Sequence, residues 1–140
     1  MLNILVVEDS SHDLFWLKEV LGDLGLDHRL SVAEDGQTAV EFLCKRGEFA
    51  TAPTPDLIFL DVHLPNLTGV EVLRSVPSPE KLPLCVLTSS RADEEVFKRE
   101  FGIAGLRYLI KPVTPKSLLD CLRSINHFED LAPGKLTPRQ

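Results

Sequence analysis

The sequence predicts an α/β domain: a doubly wound, five-stranded parallel sheet with helices on both faces. Three observations carry that reading. Short apolar runs, several rich in β-branched residues, recur along the chain, as strands buried on both faces require. Segments with helical apolar spacing separate them, so strand and helix alternate and the crossovers are right-handed. Two of the apolar runs end in carboxylates, Glu8-Asp9 and Asp61, at the strand edge where open α/β sheets bind ligands.

Ile4–Val7 is the first strand. Ser10, Ser11 or Asp13 can cap the helix that follows, which Gly22 and Gly25 stop near Leu24 and whose core stripe is Leu14, Leu17, Val20, Leu21 and Leu24. Leu30–Ala33 is a second strand, with His28, Leu30 and Val32 alternating as on an edge. Gly36–Phe49 reads as a helix with Ala39, Val40, Leu43 and Cys44 inward, before the proline-marked loop 50–55. Leu57–Leu60 is the third strand and Val70–Val76 the third helix, ended by Pro77 and Pro79. Leu84–Leu87 is the fourth strand, Ala92–Phe101 a charged helix closed by Gly102, and Leu106–Ile110 the fifth strand. Pro115–Phe128 is the last helix, with Pro115 suited to its first turn. One domain over residues 1–128 and a short polar tail over 129–140 account for the chain.

With 140 residues, the chain can bury roughly two-thirds of its unfolded surface, enough for one core. Its net charge of -6, with lysines and arginines scattered, argues against a nucleic-acid surface or a polybasic membrane patch. No apolar stretch is long enough to span a bilayer, and no secretion signal opens the sequence, so a cytoplasmic protein is expected. Cys44, Cys85 and Cys121 are widely spaced and odd in number, which fits free thiols.

A flavodoxin-like strand order, 2-1-3-4-5, sets the first and third strands side by side at the switch point. Glu8, Asp9 and Asp61 then share one rim with Thr88 and Lys111, which end the fourth and fifth strands. Two carboxylates about 5 Å apart at an effective dielectric near 20 repel by about 3 kcal/mol, so a cation belongs there. Hard oxygen donors favour Mg2+. A carboxylate beside a divalent ion is a competent nucleophile toward phosphorus, a lysine neutralises the transferred group, and a hydroxyl can bond its oxygens.

Glu8-Asp9, Asp61 followed by Leu64-Pro65 and Gly69, Thr88, and Tyr108-x-x-Lys111-Pro112 together resemble the receiver domain of two-component response regulators, over residues 2 to about 128. The resemblance implies that Asp61 accepts a phosphoryl group from a sensor histidine kinase or a phosphotransfer protein. It implies Mg2+ held by Asp9, Asp61 and the backbone carbonyl of His63, with Glu8 acting through water. Lys111 would pair with the phosphoryl group, Thr88 would move toward it, Tyr108 would swing inward, and the Lys111–Pro112 bond would be cis. Thr68 stands where many receivers carry Asp; either residue can cap the next helix. His63 and Ser90 occupy rim positions that vary among receivers. The proline-containing loop and short tail are similar to single-domain regulators paired with phytochrome-like kinases.

With so short a tail, the signal is expected to leave by contact with a downstream protein, or through a homodimer on the face of the helix 92–101, the fifth strand and the last helix. Phe128 and Leu131 extend the apolar pattern there. On the first helix, Phe15 points away from the core stripe and Trp16 lies at its edge, which suits either docking or cover by a loop. Two other functions compete. A haloacid-dehalogenase-type phosphatase needs a second Asp two residues after its nucleophile and acids after its Lys, where this chain has His63 and Pro112-Val113-Thr114. A flavodoxin-like binding module lacks a Gly-rich or Ser/Thr-rich phosphate cradle after the first strand.

Overall fold

The computed structural model describes residues 2–64, 67–76, 84–88 and 107–124, together with Glu95 and Arg99. Five strands, β1 (Leu2–Val7), β2 (His28–Ala33), β3 (Leu57–Asp61), β4 (Leu84–Thr88) and β5 (Arg107–Ile110), form one parallel sheet in the order β2-β1-β3-β4-β5. Helices α1 (Ser11–Asp23), α2 (Gly36–Leu43) and α3 (Gly69–Arg74) follow the first three strands, and a C-terminal helix, Pro115–Arg123, follows β5. The charged helix expected over 92–101 falls largely outside the described residues, as do Phe128 and Leu131; Glu95 and Arg99 are helical.

Strand pleating divides the core into two halves. Leu2, Ile4 and Val6 of β1, with Leu57 and Phe59 of β3, face Leu17, Val20, Leu21 and Leu24 of the first helical turnings and Leu118, Leu119 and Leu122 of the C-terminal helix. Their alternates Leu5, Val7, Ile58 and Leu60 face Ala39, Val40 and Phe42 of α2 and Val72 and Leu73 of α3. Period-2 strands between period-3.6 helices explain why β1 and β3 read as unbroken apolar runs.

Each helix starts where a short polar side chain satisfies its open N–H groups. The side chains of Ser10, Asp35, Thr68 and Thr114 accept from Asp13, Thr38, Glu71 and Ser117 backbone N–H respectively. At Thr114 the Ser117 hydroxyl reciprocates, and Pro115 occupies the first turn.

Two expectations change. Helix α2 ends at Leu43 rather than Phe49. Arg46 N–H donates to Glu41 O and Lys45 N–H to Phe42 O, the paired bonds of a Schellman stop, with Lys45 at φ 55. A short 3-10 turn, Gly47–Phe49, then carries the chain on. On edge strand β2, Val32 is exposed while Ala33 is the buried residue. Cys44 and Cys121 are free thiols, and no helix among the described residues is long and apolar enough to cross a membrane.

Gly36, the first residue of α2, is where the loop after Asp61 presses closest. A Cβ added there would lie 2.6 Å from Leu67 Cβ, 2.8 Å from Leu67 O and 2.9 Å from Val72 Cγ2. Gly36→Ala therefore has to displace backbone, and it should destabilise by about 2 kcal/mol despite the better helix propensity of Ala. Urea unfolding should show a lower midpoint at unchanged slope, and an unchanged midpoint would refute the close fit.

Candidate functional site

Strand register builds the site. Val7 pairs with Leu60, so Glu8, the next residue, comes level with Asp61 at the sheet's carboxyl rim. Asp61 in turn pairs with Leu87, and Thr88 with Ile110, which brings Thr88 and Lys111 to the same rim. Glu8 and Asp61 are the buried charged residues among those described, at 2% and 5% exposure. Burying two neighbouring carboxylates is costly unless a positive partner is held against them.

Lys111 is that partner. Its Nζ lies 2.6 Å from Glu8 Oε1, 3.0 Å from Asp61 Oδ2 and 2.9 Å from Asp13 Oδ2. Asp61 Oδ1 is separately occupied, accepting from His63 N–H at 2.9 Å, while Ser10 N–H donates to Glu8 Oε2 at 3.3 Å. The Lys111–Pro112 bond is cis, as the resemblance implied.

Carboxylate oxygens of Glu8, Asp9 and Asp61 lie within 4.8 Å of one another, with Asp9 exposed to solvent. Three hard anionic oxygens at this spacing, open on one side, fit a divalent ion that keeps part of its water shell. His63 is the second residue beyond Asp61 and its backbone already touches the site. Thr88 ends β4 at the rim, although its side chain falls outside the described residues. Tyr108 is half-buried on β5 and packs against the α2–α3 half of the core. Ser90 is outside the described residues.

Asp13 is the site residue that sequence reasoning missed. It was legible only as a helix-capping candidate, because its pairing with Lys111 spans 98 positions. An acid in the first turn of a helix that follows an acidic strand end was the available signal. Trp16 was read for exposure, and its ring is 44% exposed, yet its Nε1–H donates to Val113 O at 2.5 Å. Phe15, 62% exposed, makes the outward face of the same turn.

Charge follows from the geometry. Burial, then the hydrogen bond and the negative charge of Asp61, push the Glu8 carboxyl from 4.5 up to about 7, against the pull of Lys111. Burial works against the charge on Lys111, but hydrogen bonds to Glu8, Asp13 and Asp61 outweigh it and hold its pKa above the usual lysine value. The ammonium is thus fixed, and the proton on Glu8 is the adjustable quantity. A nucleophilic carboxylate beside a permanent cation and a dication-sized set of oxygens can accept a phosphoryl group.

The family model for the response regulator receiver domain matches residues 4–123. Response regulator Rcp1 of Synechocystis sp. is 36% identical over 128 residues, covering 89% of this chain and 86% of that protein. Its Mn(2+)-bound crystal structure superposes with TM-score 0.70 at 35% identity, over 98% of this chain and 99% of that one. The bacteriophytochrome response regulator RtBRR gives TM-score 0.80 at 32% identity, covering 90% and 78%. The phosphorylated cyanobacterial phytochrome response regulator RcpA gives 0.71 at 29%, covering 95% and 99%. Nothing in these matches supports the phosphatase or the flavodoxin-like alternative.

The raised Glu8 pKa makes stability pH-dependent in the metal-free protein. Between pH 4.5 and about 7 the folded state holds a proton that the unfolded state has released. Unfolding free energy should therefore fall as pH rises across that window, by about 3 kcal/mol, and level off above it. Urea unfolding in chelator, compared with Glu8→Gln, checks this: the variant should lose that slope, and parallel profiles would refute it.

Proposed function

The chain belongs to the response regulator receiver domain family, whose members are phosphoacceptor signalling domains, and from that premise we propose that Asp61 is the residue phosphorylated. The observation that carries this reading is the contact of Asp61 Oδ2 with Lys111 Nζ at 3.0 Å, in a rim shared with Glu8 and Asp9. The donor is a phosphohistidine on a sensor histidine kinase or a phosphotransfer protein. An Asp61 oxygen attacks phosphorus; the P–N bond breaks, its electron pair returns to the imidazole, and an acyl phosphate remains on Asp61. Lys111 balances charge on the transferred oxygens. Thr88 donates its hydroxyl to them, and Tyr108 follows inward from its half-buried position.

Asp9, Asp61 and the His63 carbonyl would hold Mg2+, with Glu8 supporting through water, and the ion when bound would supply positive charge for the phosphoryl oxygens. The chain turns over no external substrate beyond its own phosphorylation and dephosphorylation. Residues 1–128 form the receiver and 129–140 its tail. The protein works in the cytoplasm through protein contacts, with a downstream target or a second copy of itself, and not on nucleic acid or a membrane. RtBRR and RcpA are phytochrome response regulators, which supports a phytochrome-like kinase as the upstream partner.

Acetyl phosphate with Mg2+ should add one phosphoryl group, seen by intact-mass spectrometry. Asp61→Asn and chelator should each abolish it, and Lys111→Ala should slow it by about 100-fold, the loss typical of one transition-state charge donor. A label that persists in Asp61→Asn would place the acceptor elsewhere.

A further inference from the structure

We propose that Asp13 is a positioning residue that holds Lys111 before phosphorylation, and that the phosphoryl group on Asp61 displaces it, releasing the first turn of α1. The inference rests on Asp61 being the acceptor. An ammonium has three N–H donors, and the structure occupies all three, on Glu8, Asp13 and Asp61. A phosphoryl group brings about two negative charges and new acceptor oxygens to the same spot. The donor now on Asp61 can pass to the phosphoryl group, and Lys111 can turn a second donor toward its several oxygens only by leaving Glu8 or Asp13.

Exposure decides which one. The Glu8 side chain is 1% exposed, so without Lys111 it becomes a stranded buried acid. Asp61 carries the phosphoryl group itself. The Asp13 side chain is 39% exposed, and water can replace its ammonium partner at little cost. Asp13 also stands outside the acid set that fits a metal. The bond from Lys111 to Asp13 is the one that gives way.

Its loss is felt on α1. Asp13 and Trp16 lie about one turn apart on this helix and grip the same segment across a cleft of about 420 Å³. Asp13 holds Lys111, and Trp16 holds Val113 through its indole N–H. One tether depends on charge and the other does not. When the charged tether opens, the Trp16–Val113 bond remains, beside the exposed ring of Phe15.

The test uses beryllofluoride as the phosphoryl mimic, in saturating Mg2+, read by the chain's single tryptophan and by calorimetry. In Asp13→Asn, Lys111 gives up only a bond to a neutral amide oxygen in place of a charged one, so the mimic should bind about three- to tenfold more tightly than to the parent chain. Asp13→Glu, which restores the carboxylate, should return parent-like affinity. The parent's Trp16 emission should change on binding, and that change should be largely lost in Asp13→Asn. Unchanged or weaker binding in Asp13→Asn, or a full Trp16 response there, would overturn the inference while leaving Asp61 as acceptor. A parent chain that neither binds the mimic nor takes up phosphate would overturn the acceptor reading, and this inference with it.

Discussion

One ammonium holds the carboxyl rim of this sheet together. Without Lys111, Glu8 and Asp61 would face each other as buried like charges, with Asp9 and Asp13 close by. The strands meet there regardless, because their apolar runs drive burial on both faces and the register follows from it. The hydrophobic core therefore imposes an electrostatic problem, and a lysine on β5's far end solves it. This is a stable arrangement rather than an idle one. Three acids on one cation, with Asp9 beside them, leave negative charge in excess, which is the condition for recruiting a divalent ion.

Much of this was legible in the sequence, because apolar periodicity and punctuation residues act locally. Strand order, the two-faced core and the caps at Ser10 and Thr68 follow from patterns within a few residues. The gathering of Glu8, Asp61 and Lys111 followed from topology, since each ends a strand. What escaped was either non-local or conformationally unusual. Helix α2 stops at a lysine in the left-handed region, where glycine is the usual signal, so the helical pattern ran on to Phe49. Asp13 meets Lys111 through space only, and its one local signal, a first-turn acid after an acidic strand end, does not point to a lysine 98 positions away.

Trp16 illustrates how exposure and engagement differ. Its ring was expected at the edge of the core stripe, and its partial exposure agrees with that. Its indole nitrogen nevertheless has a fixed partner on the β5 side, so the residue is half structural tether and half surface. A helix carrying both kinds of group can transmit a change at the rim to whatever meets its outer face.

The two sides of the sheet also differ in how they meet the site. On one side, Gly36 lets the backbone around Leu67 settle on α2, which fixes the loop leaving Asp61 by close packing. On the other, α1 is joined to the Lys111–Val113 segment by two hydrogen-bonded side chains across an open cleft. Packed backbone resists small displacements, whereas a pair of side-chain bonds over a cleft can lose one member and keep the other. Charge arriving at Asp61 thus meets a stiff wall in one direction and a compliant one in the other. Because the compliant side is held by the very lysine that must answer the new charge, the response at α1 is coupled to the chemistry by a shared donor rather than by distance.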